Sequence, residues 1–358
     1  MSNRVAMRSL LLSLGGIALL VGCNDDEVAA PGDPLAAIQG AAHFPYELQD
    51  IPENELWDKG YYLVDLAALD TTAFRLDADG VMMVKVVDTF YYNPVTLANY
   101  GLALVDDYDQ TGEAHYLDSA RKFADRMIAE ADMFHGAMYF PYDFDWRLHG
   151  YPDAADLMKA PWYSGMAQGR ALSFFIRLSH ETGDDKYLKA ADQAFLSFFH
   201  PRSAGTPFTV EIDPRGFYWI EEYPHAVPEQ VLNGFGYAVR GLYEYYMETR
   251  NPDALWITQA ALTTLREYVY NYRVPDHYSL YCLAHRLAYL DYHRFAITLT
   301  MDMFRISADP YFRTASDLFE ADLQAVIAAG SIGGPLDLPI ELSDPQWKLP
   351  PRQGDFSN

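Results

Sequence analysis

Apolar positions along this chain fall into four long blocks, each broken by a short polar turn and then resumed. The breaks read "QTGEAHYL" (110–117), "ETGDDKYL" (181–188), "ETRNPDAL" (248–255) and "ISADPYFR" (306–313). Thr111, Thr182, Thr249 and Ser307 occupy matching places in them. Recurrence at roughly 60–70 residues is the mark of a repeated helical pair. Gly183, Pro252 and Pro310 are stop and start residues of the kind that end one helix and open the next. Before each break the chain is apolar on nearly every side ("TLANYGLALV", "GMAQGRALSFFIRL", "VLNGFGYAVRGLYEYY", "RFAITLTMDMF"), and after it the pattern is mixed, as in "YLDSARKFADRMIAEA". Helices apolar all round belong inside and amphipathic ones outside. The pattern predicts a mainly α fold, an (α/α) barrel or incomplete toroid of four helix pairs; an all-α solenoid is the alternative it leaves open.

Strand patterns are few. "FRLDADGVMMVKVV" (74–87) has an Asp-Gly turn between β-prone runs and predicts a hairpin, and "GTPFTVEI" to "GFYWIEEYP" (205–224) predicts another. The N-terminus has a basic start (Arg4, Arg8), a short apolar run and "LVGC" ending at Cys23. That arrangement predicts an export signal over 1–22, and its cysteine resembles the acylated residue of bacterial lipoproteins. The run is too short for a comfortable membrane-spanning helix. Lipidation at Cys23 would place the mature protein on a membrane, and Asn24 after it points to the outer membrane, facing the periplasm. The expected organisation is then a tether over 23–45, a small β-hairpin region over 46–90, the helical domain over 91–330 and an irregular Pro- and Gly-rich tail over 331–358.

Composition changes this picture in three ways. Cys282 is the only cysteine besides Cys23, so the mature chain is stabilised by packing without an internal disulfide. The 27 tyrosines suit either a large helical core or an aromatic sugar-binding cleft. The net charge of −24 excludes nucleic acid as an expected partner and sits awkwardly with an anionic substrate.

The chemically unusual residues cluster where the inner helices should begin: "YYNPVTLANYGL", "APWYSGMAQGRALS", "EEYPHAVPEQVLNGFGY" and "YLDYHRF". If those helices run parallel around a ring, their N-termini share one rim. Helix N-termini carry partial positive charge and unpaired N–H groups, so such a rim attracts an anion even on an acidic protein. Arg147, Arg286 and Arg294 would add cations there. Tyr163, next to Trp162, is a candidate sugar platform or a packing residue. Glu221 and Glu222 could equally be a solvated pair at a helix start, and Tyr223 and Tyr292 core tyrosines. His225, His285 and His293 are isolated and open to core or surface roles. The small residues of "GMAQGRA" suit close helix approach.

Taken together, "YNPVTLANYGL", "PWYSGMAQGRALS", "EEYP" followed by "VLNGFGY", and "LDYH" resemble the C-terminal catalytic domain of the D-glucuronyl C5-epimerase family over roughly residues 90–325, in the family's order. The resemblance implies an (α/α) barrel, a homodimer, no cofactor, and conversion of D-glucuronate to L-iduronate within heparosan-type chains. It implies that Glu222, Tyr223 and Tyr292 are catalytic. Asn233, Tyr237 and Tyr281 are implied substrate contacts, and Arg147, Tyr163 and His293 are placed with them as substrate-side candidates. Two departures concern substrate: Ala284 stands where the family can have arginine, and Ala296 where histidine is common.

Epimerisation at C5 needs the uronate charge neutralised and two proton-transfer groups, one on each face of the ring. A tyrosine whose pKa, ordinarily about 10, is lowered by a nearby cation would suit one face. No HExxH, CxxC, EF-hand or phosphate-loop spacing is present, so no metal or cofactor is expected. The alternatives are a uronate polysaccharide lyase, which shares the C5 proton abstraction, and a non-catalytic glycan-binding lipoprotein.

Overall fold

Four helical hairpins form where the polar breaks interrupt the apolar blocks. They are α1 (Pro94–Thr111) with α2 (Ala114–Ala129), α3 (Gly165–Thr182) with α4 (Asp185–Phe195), α5 (Leu232–Thr249) with α6 (Pro252–Tyr268), and α7 (Leu290–Ser307) with α8 (Pro310–Ala328). The computed structural model describes residues 34–51, 73–148, 156–202, 207–285 and 289–330. The export signal, Cys23, Arg286 and the 331–358 tail lie outside the described residues. No helix among those described is long and apolar enough to cross a membrane.

The repeated hydroxyl in the turns has a physical reason. Thr111, Thr182, Thr249 and Ser307 each donate to a carbonyl in the last turn of the first helix (Asp107, Leu178, Tyr245 and Met303). Each also accepts the N–H of Glu113, Asp184, Asn251 or Asp309 at the start of the second helix. One side chain thereby satisfies orphan backbone groups on both sides of the break. The residue after it is left-handed in every hairpin: Gly112, Gly183, Arg250 and Ala308 have φ of 69°, 64°, 53° and 53°. Asn93, Ser164, Asp184, Asn251 and Asp309 then cap the helices that follow them.

The inner helices α1, α3, α5 and α7 pack side by side in that order, and their lumen-facing residues set one common register. The sixth residues, Asn99, Arg170, Tyr237 and Phe295, form a layer: Arg170 Nε donates to Asn99 Oδ1 at 2.6 Å, its guanidinium lies 4.8 Å over the Tyr237 ring, and that ring is 4.7 Å from Phe295. About two turns deeper, Arg177 bridges Glu244 at 2.9 Å and Asp106 at 3.4 Å, and Asp302 holds the equivalent place on α7. Matching positions meet at matching depths, so the inner helices are parallel and their N-termini lie at one end. Gly169 and Gly241 let α3 and α5 approach closely, since a β-carbon at Gly241 would strike the Gly169 carbonyl. The "GMAQGRA" stretch therefore has the structural role expected of it.

Short strands fill the loops at the rim. β1 (Phe74–Leu76), β2 (Met82–Val86) and β3 (Thr89–Tyr91) make a three-stranded antiparallel meander where one hairpin was expected. The hairpin of β8 (Val210–Ile212) and β9 (Tyr218–Ile220) forms as expected. Two pairs between α2 and α3 were not anticipated: β4 (Asp132–Phe134) with β5 (Ala137–Tyr139), and β6 (Trp146–Arg147) with β7 (Leu157–Met158). Their two- and three-residue length gives too little alternation to register as a pattern. The expected tether over 23–45 also ends early. Ile38 is buried, His43 bonds Gln259 of α6 at 2.7 Å, and Phe44 N donates to Thr263, so the chain from residue 34 is docked on the helical body.

The Arg177 layer carries a quantitative expectation. Arg177→Met removes the bridge between Glu244 and Asp106, leaving Glu244 with its longer 3.7 Å contact to Arg240, and should cost about 3–5 kcal/mol of unfolding free energy in urea titrations. A loss of about 1 kcal/mol or less, typical of an exposed pair, would count against this register device.

Candidate active site

The rim above α5 is built from β9 outward. Beyond Ile220 the chain continues as Glu221, Glu222 and Tyr223, pinned on both sides: Glu221 N donates to Thr209 O, and Gly165 N donates to Glu221 O, each at 2.8 Å. Only glycine fits at 165, because a β-carbon would meet Ile220 and the Glu221 carbonyl. The two carboxylates then turn to different tasks. Glu221 is buried and its Oε2 accepts the backbone N–H groups of Glu229 and Gln230, each at 3.1 Å, closing the 221–230 loop. Burial pushes its pKa up to about 8, against the lowering effect of those hydrogen bonds.

Glu222 lies across the first turn of α5. A β-carbon at Gly234 would overlap its carboxylate, so this glycine makes the seat. Burial raises its pKa to about 7, partly offset by the polar groups of Tyr223, Tyr281, Asn233 and the Gly234 amide. Tyr281 Oη donates to Glu222 Oε1 at 3.4 Å and lies 3.3 Å from Tyr223 Oη. The Tyr292 ring, in the first turn of α7, is 4.5 Å from that of Tyr281, and Tyr289 is 5.7 Å from Tyr292. On the other side Tyr142 stacks on Trp162 at 3.9 Å, Trp162 is 5.9 Å from Tyr223, and Tyr142 is close enough to Glu222 to feel its charge. Glu222 Oε2 and Asn233 Oδ1 are buried and make no hydrogen bond of good geometry among the described residues. A buried carboxylate of raised pKa, ringed by phenols, is equipped to accept a proton from something placed against it.

Of the residues singled out from the sequence, the structure brings Glu222, Tyr223, Asn233, Tyr281 and Tyr292 together. Tyr237 lies one turn below Asn233, buried in the lumen beneath Arg170. Tyr163 is half-buried and donates to Asp132 at 2.9 Å, among Phe134 and Tyr139. Arg147 is exposed on β6, next to the Trp162 cluster, and Arg294 is exposed and paired with Asp291. His293 is a correction: it is fully buried, its Nδ1 accepts Ser279 N–H at 2.7 Å, and its Nε2 donates to Phe319 O at 2.8 Å, so neither nitrogen faces the rim. Ala284 is exposed, whereas Ala296 is a core residue of α7. Burial and the nearby Glu222 push Tyr223 and Tyr281 well above their ordinary value, so neither of these two is a tyrosine of lowered pKa. Tyr142 was missed; its segment, "FPYDFDW", has no periodicity that marks it.

The fold and site define a helical-hairpin toroid with a carboxylate and several phenols gathered at one end of its inner helices. The sequence profile of the family described as D-glucuronyl C5-epimerase C-terminus matches residues 135–321, just over half of the 358-residue chain. The chain belongs to that family. It is 41% identical to the D-glucuronyl C5-epimerase of Caenorhabditis elegans over 83 residues, covering 23% of this chain and 13% of that protein. It is 27% identical to an uncharacterized protein of Methanocaldococcus jannaschii over 165 residues, covering 46% of this chain and 51% of that one. The chain thus spans about half or less of the length of these relatives. Among solved structures it is similar to cellobiose 2-epimerase from Spirochaeta thermophila, at 12% identity and a TM-score of 0.47, covering 66% of this chain and 60% of that one.

Glu221 ties the site to stability. Its folded pKa lies above its unfolded value, so between about 4.5 and about 8 the folded state holds the extra proton and folding weakens as pH rises. Glu221→Gln keeps an acceptor for the two amides and removes that titration. Its melting temperature should match wild type near the lower limit and gain on it steadily toward the upper one. A constant difference across the range would show that Glu221 stays ionised in the fold.

Proposed function

We propose that this protein is a carbohydrate epimerase that inverts C5 of D-glucuronate-type residues, giving L-iduronate, within a polysaccharide. The observation that carries the reading is the gathering of Glu222 with Tyr223, Tyr281 and Tyr292, from three separate segments, over the first turn of α5. The uronate carboxylate binds at the rim, where helix N-termini offer N–H groups and Arg170 supplies a buried cation one turn below. Arg147, on the exposed strand beside the Trp162 cluster, and Tyr163 serve neighbouring sugar units of the anionic chain.

Ionised Glu222 takes the C5 proton, and the electron pair moves into the substrate carboxylate. The Tyr292 phenol delivers a proton to C5 from the opposite face. Glu222 is then protonated and Tyr292 ionised, and Tyr281, bonded to one and packed on the other, passes the proton back. The reverse reaction exchanges the two roles, and no cofactor takes part in this scheme. In the cell the protein is exported, acylated at Cys23 and held at the outer membrane facing the periplasm, working as a homodimer. The charge of −24 suits no nucleic-acid role.

The test is incubation with heparosan or glucuronan in deuterium oxide. Deuterium at C5 in intact chains is expected. Shortened chains with unsaturated-uronate absorbance would instead identify a lyase, and binding without exchange a glycan-binding protein. Glu222→Gln should lower C5 exchange of D-glucuronate residues, and Tyr292→Phe their inversion to L-iduronate, each by about 10²–10⁴-fold, with thermal unfolding little changed. In wild type, kcat/KM should fall tenfold per pH unit below about 7, following ionisation of Glu222. Retained inversion in Tyr292→Phe would remove that residue from its assigned role.

A further inference from the structure

Beside the phenol cluster, and outside the proposed chemistry, lies a second group of polar side chains. Glu229 is fully buried at the end of the loop that Glu221 closes, and His285 Nδ1 lies 2.8 Å from its Oε2. Cys282 Sγ is 3.8 Å from the same His285 nitrogen, and the His285 backbone N–H donates to that sulfur at 3.3 Å. The donor atoms of Glu229, Cys282 and His285 all lie within 4.8 Å of one another. His225 Nε2 sits 2.8 Å from Glu229 Oε1, and Asp156 Oδ1 is 3.2 Å from His285 Nε2.

We propose that Glu229, Cys282 and His285 form a binding site for a divalent transition-metal ion of the zinc class, with water as the fourth ligand. A tetrahedral ion about 2.0–2.3 Å from each donor needs donors roughly 3–4 Å apart, and the observed separations bracket that range. The donor set of thiolate, imidazole and carboxylate is the one zinc prefers over calcium or magnesium. Cys282 and His285 also have a C-x-x-H spacing on one turn, while Glu229 comes from a neighbouring segment. Asp156 completes the arrangement: a carboxylate on Nε2 holds that proton and turns the Nδ1 lone pair toward Glu229 and Cys282, the orienting contact that metal-bound histidines use. An N–H donated to the sulfur favours its thiolate form. Binding replaces the Cys282 proton by the metal ion and releases it to solvent, so one proton leaves per ion bound from the thiol.

The position gives the ion a purpose. Cys282 follows Tyr281 directly, and Glu229 ends the loop that begins at Glu221. Backbone bonds already join these segments, from Leu283 N to Glu229 O at 3.2 Å and from Leu232 N to Tyr281 O at 3.1 Å. The ion would lock Tyr281 against Glu222 from behind, as a structural clamp that touches no substrate.

The competing account is a metal-free cluster in which His285 bridges Glu229 and Asp156 by hydrogen bonds alone, and a titration separates the two. Full-length protein, stripped with a chelator under reducing conditions, is titrated with zinc chloride against a chromophoric competitor. One equivalent should bind and raise the melting temperature. Asp156→Asn should weaken binding about 10- to 100-fold, and Cys282→Ala or His285→Ala more than that. Absence of stoichiometric binding overturns the proposal, as does one equivalent bound with undiminished affinity in the Cys282 and His285 variants. If those variants fail to fold, cobalt(II) added to the wild-type protein decides: a thiolate-to-cobalt charge-transfer band is expected, and its absence overturns the site.

Discussion

Arg177 lies in the interior between Glu244 and Asp106, with Arg170, Asn99, Tyr237 and Phe295 stacked about two turns above. A buried charge left without its counter-ion is costly, so an inner helix cannot slide by a turn without breaking the lower layer. This pairing fixes the relative height of α1, α3 and α5, and the Tyr237–Phe295 contact of the upper layer ties α7 to them. The seat of Glu222 on α5, the Asn233 amide and the backbone at Gly165 on α3 depend on the first, and Tyr292 on α7 on the second.

Within the rim, two adjacent glutamates show how backbone direction divides labour. Glu221 is held by the N–H groups of Glu229 and Gln230, while Glu222 points to the phenols. Both are raised in pKa by the same burial. For Glu221 the raised value is a stability cost of closing the loop. For Glu222 it brings a carboxylate near neutrality, where accepting and returning a proton are about equally easy. Tyr223 and Tyr281 move the other way from the simple expectation: with burial and a carboxylate as neighbour they are raised in pKa, which suits donation rather than abstraction.

How much of this was visible in the chain depends on whether the cause is local. The four helical hairpins were readable because each turn carries its own chemistry, a hydroxyl four residues from a carbonyl and two before an amide. Glu222, Tyr223, Asn233, Tyr281 and Tyr292 were readable because they fall at helix openings and in segments resembling a family. His293 was misplaced because it adjoins Tyr292 in sequence, yet on a helix consecutive residues face different directions. Tyr142, the β4–β7 strands and the early docking at residue 34 left no periodic trace, since each is held by contacts with distant segments.

The sequence by itself determined the repeat, its turns, the inner and outer helices and the cluster of polar residues at helix starts, because periodicity and capping act over a few residues. Only the tertiary structure decided which of those residues meet. Glu222 reaches Tyr281 across 59 positions, and His285 reaches Asp156 across 129. Such distances in sequence are closed by the packing of parallel helices around shared buried layers, and no local preference encodes them.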